Sequence, residues 1–246
     1  MNKIIRGRNI NNAKVIALFI AQVITGVAPV LLLVAFVGFK LYTTLVTAVV
    51  FIVLIFLCNV AYAFLARRYG VLNSGVRGEK QLFRTVKKLH GTNIVFHNLP
   101  VRYKRGRSEL DLLIINHTGV LIIEVKNHSG TISGNWRADK WKQKKVYRDG
   151  KTVITEMDNP IKQMRRQRDI VKSILNNAGE NVWIDTVLYF SAPNAKLRLS
   201  LRENDYVCTS SAELLNFLRN YDSGETLSKS RMERIAKIMK NASEGK

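Results

Sequence analysis

Glu124 and Lys126 in IIEVKN (122–127) and Asp111 in ELDLLIIN (109–116) are the residues whose types and spacing could do chemistry. In a strand, side chains alternate, so Glu124 and Lys126 share a face with Val120 and Ile122, while Leu121, Ile123 and Val125 take the other. Both faces are apolar up to Glu124, the pattern of a central strand covered on both sides. Burying an ion there costs roughly several kcal/mol unless a partner offsets it. An ion pair at a strand's end would account for a lone E-x-K. Asp111, on the neighbouring apolar run, adds a second carboxylate. Two carboxylates converging from adjacent strands suit a hard cation such as Mg2+. Such a cation offsets the burial, polarises a phosphate and lowers the pKa of a bound water. A lysine on the same face can orient that water or steady charge on the phosphate. These are the requirements of phosphodiester hydrolysis.

The elements that must position these groups can be read from periodicity. Residues 93–101, 109–116 and 119–127 are β-rich runs, and His117-Thr118-Gly119 is a short turn that makes the last two an antiparallel hairpin. This alternation puts Glu109 and Asp111 on one face with Leu113 and Ile115, so Glu109 competes as a ligand. Before them, residues 73–91 read as a helix with Val76, Leu82, Phe83, Val86 and Leu89 at helical spacing, closed by Gly91. Glu79 falls on its core-facing stripe. It is either part of the acidic group or a first-turn acid favoured by the helix dipole. After them, Asp149-Gly150 turns a basic hairpin. Asn159 and Pro160 then start a helix in which Gln163, Gln167, Ile170 and Ile174 form an inward face. Strands at 182–191 and 206–209 and helices over about 210–220 and 228–241 close the chain. The order αβββ, basic hairpin, αβ, then a short strand and helices predicts one α/β domain over residues 70–246, with a core of about 77–190 and a helical C-terminal part, 205–241.

The formal net charge is +21 and the pI about 10.2. Residues 1–66 hold five of the 39 basic residues and none of the 18 acidic ones, so the soluble part is itself strongly basic. That excess points to a polyanionic partner, nucleic acid or an anionic membrane surface. Two cysteines, Cys58 and Cys208, exclude a disulfide framework and a C-x-x-C zinc site. The four histidines lack metal-ligand spacing and read as structural or surface residues.

Residues 15–39 and 41–66 contain one uncharged run each, long enough at about 1.5 Å per residue to cross a ~30 Å hydrocarbon core. With only Gly38 to Tyr42 between them, they predict a two-helix transmembrane hairpin. Four basic residues precede it, in a basic N-terminus of residues 1–14, and Arg67, Arg68, Arg77 and Lys80 follow it. The positive-inside rule then places both termini and the α/β domain in the cytoplasm, on a multi-pass protein of the inner (plasma) membrane.

Over roughly residues 77–190 the chain resembles the nuclease-related domain family, within the PD-(D/E)xK restriction-endonuclease-like superfamily. The resemblance is carried by GE at 78–79, ELDLLIINHTGVLIIEVKNHSGTISG at 109–134, Trp141 and NPIKQ at 159–163. It implies a restriction-endonuclease-like αβββαβ core, a mixed central sheet flanked by helices. It also implies a catalytic set of Asp111, Glu124, Lys126, Glu79 and Gln163. Asp111, Glu124 and Glu79 would hold Mg2+ (or Mn2+) or its waters, Lys126 would assist the attacking water, and Gln163 would position substrate or water.

Two basic stretches fit nucleic acid: RYKRGR, with Arg102, Lys104, Arg105 and Arg107, and RADKWKQKKVYR, with Lys140, Trp141, Lys142, Lys144 and Lys145. Basic side chains neutralise phosphates and aromatics stack on bases. Trp136 and Trp141 could equally cover the sheet, and the lysines could be a solvated face. The expectation is a membrane-anchored, metal-dependent nuclease acting on nucleic acid, DNA favoured over RNA. The alternatives are a tethered nucleic-acid-binding module without turnover and a basic surface that docks on anionic lipid.

Overall fold

In the computed structural model, which describes residues 3–6, 10–41, 44–104 and 106–244, the chain divides into two compact units. One is residues 9–76. The other joins residues 1–8 to 77–246.

The first unit is built from α1 (Ile10–Gly38) and the part of α2 (Leu45–Val86) up to residue 76. Both helices are long and apolar enough to cross a membrane, and none of either helix's most apolar stretch is buried. Their side chains meet each other. A Cβ on Gly26 would stand 3.2 Å from the Tyr62 ring, and the rings of Phe36 and Phe51 lie 4.6 Å apart. The sequence predicts a span ending at 66 and a new helix from 73. Instead α2 runs unbroken, because the intervening residues contain no proline and a single glycine weakens a helix without ending it.

The second unit holds a six-stranded mixed sheet in the order β1-β2-β3-β4-β8-β10. Its strands are β1 (Lys3–Arg6), β2 (Ile94–Tyr103), β3 (Gly106–Asn116), β4 (Gly119–Lys126), β8 (Ile184–Phe190) and β10 (Tyr206–Cys208). Helices α3 (Pro160–Asn177) and α5 (Lys229–Glu244) cover one face. Residues 82–89 and α4 (Ser211–Asn220) cover the other. With both faces covered, β4 is buried along its length up to Lys126, as its double-sided apolar pattern requires. A second sheet, β7-β6-β5-β9, combines β5 (Gly130–Asn135), β6 (Lys140–Val146), β7 (Thr152–Asp158) and β9 (Ala195–Ser200). It packs on the start of α3 and the end of β8 through Ile132, Trp141, Ile161, Met164, Leu188 and Phe190. The last helical turns of α2, β2, β3, β4, α3 and β8 follow the expected αβββαβ order.

Beyond the unbroken α2 and the added strand β9, this unit departs from the sequence reading in two further ways. Residues 3–6, expected as part of a basic tail, form β1, which pairs parallel to β2 in register Lys3↔Ile94 to Arg6↔His97. The strict alternation expected of β3 also breaks. Leu110, and not Glu109, joins the cluster of Leu113 and Ile115, and Glu109 is exposed. The strand turns at Asp111, so Glu109 and Asp111 do not share the face that a flat strand would give them.

Candidate active site

The turn at Asp111 has a partner on each side. The β3–β4 ladder runs Asn116↔Gly119 to Leu112↔Ile123, so Asp111 and Glu124 are opposite one another one step further on. The backbone N–H of Val125, beside Glu124, donates to Asp111 Oδ2 at 2.8 Å. On the β2 side the register runs His97↔Leu112 and Leu99↔Leu110, which leaves Asn98 opposite Asp111. Burial of the Asp111 carboxyl, and then the nearby charge of Glu124, hold its pKa well above the ordinary carboxylate range.

Glu124 is 2% exposed, and three donors offset its burial. Lys126 Nζ lies 2.6 Å from Oε1, and Gln163 Nε2 2.7 Å from the same oxygen. Gln167 Nε2 lies 2.8 Å from Oε2. Charge-assisted bonds of this length are the strong ones. Gln163 also accepts from Lys126 Nζ at 3.0 Å, closing a triangle with Glu124. Lys126, 21% exposed at its side chain, and the half-buried Gln163 meet solvent, while Glu124 does not.

Both glutamines are delivered by the start of α3, which local chemistry secures. Asn159 Oδ1 caps the helix by accepting from Ile161 N at 2.9 Å. Its Nδ2 donates to the carbonyls of Ala138, Asn135 and Trp136 at 2.6, 3.2 and 3.2 Å. One side chain thus ties α3 to the β5–β6 turn. Gln163 and Gln167, four apart, then fall one turn apart on the inward face.

Glu79, 8% exposed, arrives from α2 and accepts from Asn98 Nδ2 at 2.9 Å through Oε2. Gly78 eases that approach. A Cβ there would stand 3.0 Å from Asn127 Cβ and from Ser191 Oγ, so a side chain at this position would require the ends of β4 and β8 to give by a few tenths of an ångström.

The donor set fits a small hard cation in one specific way. Among the described residues, no three Asp, Glu, His or Cys side chains close around one point. A pair, Asp111 and Glu124, is brought together, with Glu79 near enough to raise the Asp111 pKa further. Mg2+ is commonly held by one or two carboxylates, with water and phosphate oxygens completing its shell. A cation held between Asp111 and Glu124 would offset the repulsion of the two acids.

The expected nucleic-acid residues fall differently. Arg102 and Arg107 are directly opposite in the β2–β3 register, Arg102 exposed and Arg107 at the strand's outer end. Lys104 is exposed at the turn between them, and Arg105 lies outside the described residues. On β6, Lys140, Lys142 and Lys144 are exposed on one face and Lys145 is half-buried. Lys140 is ion-paired with Asp158. Trp141 is a correction. It is 0% exposed, donates from Nε1 to Asn135 O at 3.0 Å, and has Gly134 flat against its ring, so it is core and offers no face to a base.

Sequence reasoning missed Asn98 and treated Gln167 only as part of an inward stripe. It also missed a cluster around Trp136, where the guanidiniums of Arg202, Arg137 and Arg165 lie 3.6, 4.8 and 5.2 Å from the indole centroid. Arg165 is held by Asp205 at 3.0 Å. Arg137 was visible as the neighbour of Trp136, and Arg165 as part of RRQR (165–168) in the Gln163 helix, a run that could add phosphate contacts or face solvent. Three segments supply the arginines, so spacing carried no signal that Arg165 and Arg202 would meet at Trp136.

Residues 74–191 match the family model described as nuclease-related domain. Over 71 residues the chain is 37% identical to an uncharacterized protein of Bacillus anthracis; this is 28% of the chain and 34% of that protein. The match thus spans about a third of the length of the curated relative. No solved structure gives a significant match.

Proposed function

We propose, from the premise that residues 74–191 form a nuclease-related domain, that this is a membrane-anchored, divalent-metal-dependent nuclease that hydrolyses phosphodiester bonds, with DNA favoured over RNA. The observation that carries the reading is the pairing of Asp111 with Glu124 while Lys126, Gln163 and Gln167 pin Glu124 in place. Asp111 and Glu124 would hold Mg2+ or Mn2+, with Glu79 on its waters. Bound there, the cation would polarise a phosphate oxygen and lower the pKa of a water. Lys126 gives two of its three N–H donors to Glu124 and Gln163. The third remains for the attacking water or a phosphoryl oxygen, and the triangle fixes where it points. Gln163 orients both Glu124 and Lys126, so it aligns the charge pair rather than reacting.

Arg102, Arg107, Lys142 and Lys144, together with the Trp136 arginines, are suited to a phosphate backbone, whose recognition is electrostatic and indifferent to sequence. Membrane anchoring through residues 15–66 is supported by the length and apolarity of α1 and α2. The pairing of β1 with β2 supports an even number of crossings, because residues 3–6 and the domain that follows α2 then lie on one side. The basic flanks favour the cytoplasm. Reporter fusions at residue 40 and at the C-terminus should report opposite sides.

The Lys126–Glu124 ion pair also favours a second reading. A carboxylate neutralised by its own lysine needs no metal, and the domain would then bind nucleic acid without cutting it. The deciding experiment incubates the full chain, in detergent or nanodiscs, with single- and double-stranded DNA and RNA, in Mg2+, Mn2+ or EDTA. Cleavage that EDTA abolishes supports the nuclease. Binding without cleavage under every condition supports the tethered module.

A further inference from the structure

Two buried side-chain amides flank the acids, and each has one end unused. Asn98 is 1% exposed and Gln167 0%. Asn98 Nδ2 donates to Glu79 Oε2 at 2.9 Å. Gln167 Nε2 donates to Glu124 Oε2 at 2.8 Å and to Glu109 O at 3.1 Å. An ionised carboxylate only accepts, so these bonds fix which end of each amide faces the acid. The other ends, Asn98 Oδ1 and Gln167 Oε1, are buried and have no hydrogen-bond partner among the described residues. A buried carbonyl oxygen without a donor costs about 1–3 kcal/mol. Two of them beside one group of acids call for a donor that the described residues do not supply.

Asn98 carries a second cost. Its φ is 53°, in the left-handed region, in the middle of a strand. It lies opposite Asp111, and the alternation of β2 reverses there: Phe96 before it and Leu99 after it both enter the same core. Strain of this kind persists where the surroundings over-determine it, and it gathers at functional sites. Here it turns the Asn98 side chain toward Glu79.

We infer that Asn98 and Gln167 are positioning residues of the cation site. Each orients one carboxylate through its amide N–H and presents its amide oxygen as acceptor to a water of the cation's shell. The inference rests on the metal-dependent reading above. Its chemistry explains why amides stand here. A cation-bound water is a strong donor and needs acceptors around it, and Mg2+ keeps several such waters. Further acids would accept as well but would add charge to a pair that already repels. An amide is neutral and works from both ends. Partners that orient ligands in this way are worth about 10–100-fold in metal affinity.

The test uses the full chain in detergent with two variants. Asn98→Gly removes the amide and suits the left-handed backbone. Gln167→Met removes it and keeps length and volume. Mn2+ binding is measured by calorimetry, and circular dichroism and thermal melts are taken without metal. Mn2+ affinity should fall about 10–100-fold in each variant, with the metal-free secondary structure retained and Asn98→Gly melting no lower than wild type. Folded variants that bind Mn2+ as tightly as wild type would overturn the inference and leave the metal reading standing. A wild-type protein that binds no Mn2+ removes both. If Gln167→Met fails to fold, Asn98→Gly decides.

Discussion

Asp111 takes the backbone N–H of Val125 at 2.8 Å, while Glu124, one residue earlier, lies opposite Asp111 in the β3–β4 register. A strand hydrogen bond has been exchanged for a side-chain one where two acids meet. The ladder stops there, the backbones are held by a carboxylate instead of by each other, and the acids stay close despite their repulsion.

The raised pKa of Asp111 has a definite sign. Between the unfolded value and the raised one, the native state keeps a proton that the unfolded chain has lost, so stability falls as pH rises through that window. Above it, Asp111→Asn should melt a few degrees higher than wild type in EDTA. The same variant should lose both the Mg2+-induced rise in Tm and cleavage. Melts across a pH series with and without Mg2+ check this. A variant that is less stable and still responds to Mg2+ would show that the acids are not a cation site.

Lys126→Met removes the charge and keeps the stem. Loss of one preorganised donor typically costs about 10²–10³-fold in turnover, and that fall should appear with Mn2+ affinity retained. If the Lys126–Glu124 bridge is structural alone, the variant should instead lose roughly 3–5 kcal/mol of stability with no metal dependence in either protein. Single-turnover cleavage and urea melts separate the two.

Gly78→Ala places a methyl 3.0 Å from Asn127 Cβ and Ser191 Oγ. Overpacking of this kind costs about 1–3 kcal/mol. Since the shift carries Glu79 with it, Mn2+ affinity should fall too. A chemical denaturation curve and a Mn2+ titration on the same preparation are sufficient. Wild-type values in both would mean that the helix does not need this close approach.

Arg137→Ala with Arg202→Ala removes two guanidiniums from the face of Trp136. If they neutralise phosphates, affinity for all nucleic-acid sequences should fall alike. The slope of log affinity against log salt should flatten by about one for each phosphate left without its arginine. Unchanged slopes, with weaker binding to anionic vesicles, would give these arginines to the membrane surface.

The residues of the pair and its lysine were legible along the chain because their signal is local. Alternation within one strand puts Glu124 and Lys126 together, a short turn makes β3 and β4 a hairpin, and two uncharged runs mark α1 and the first part of α2. Helical spacing likewise showed Glu79, Gln163 and Gln167 on inward faces. Asn98 could not be found that way. Its importance comes from register with Asp111 and from a backbone turn that reverses β2, and neither leaves a mark in composition. The same turn in β3 exposed Glu109 and buried Leu110 against the expected alternation. Trp141 and Trp136 are alike as residues. Packing on Gly134 buries one, and arginines from three separate segments gather on the other. β1 forms only because the edge of β2 is there to receive it. Periodicity reports which face a residue takes within its own element. Which element stands opposite, and at what step of the register, is settled by packing between segments far apart in the chain, and that is where the donors around Glu124 and Glu79 come from.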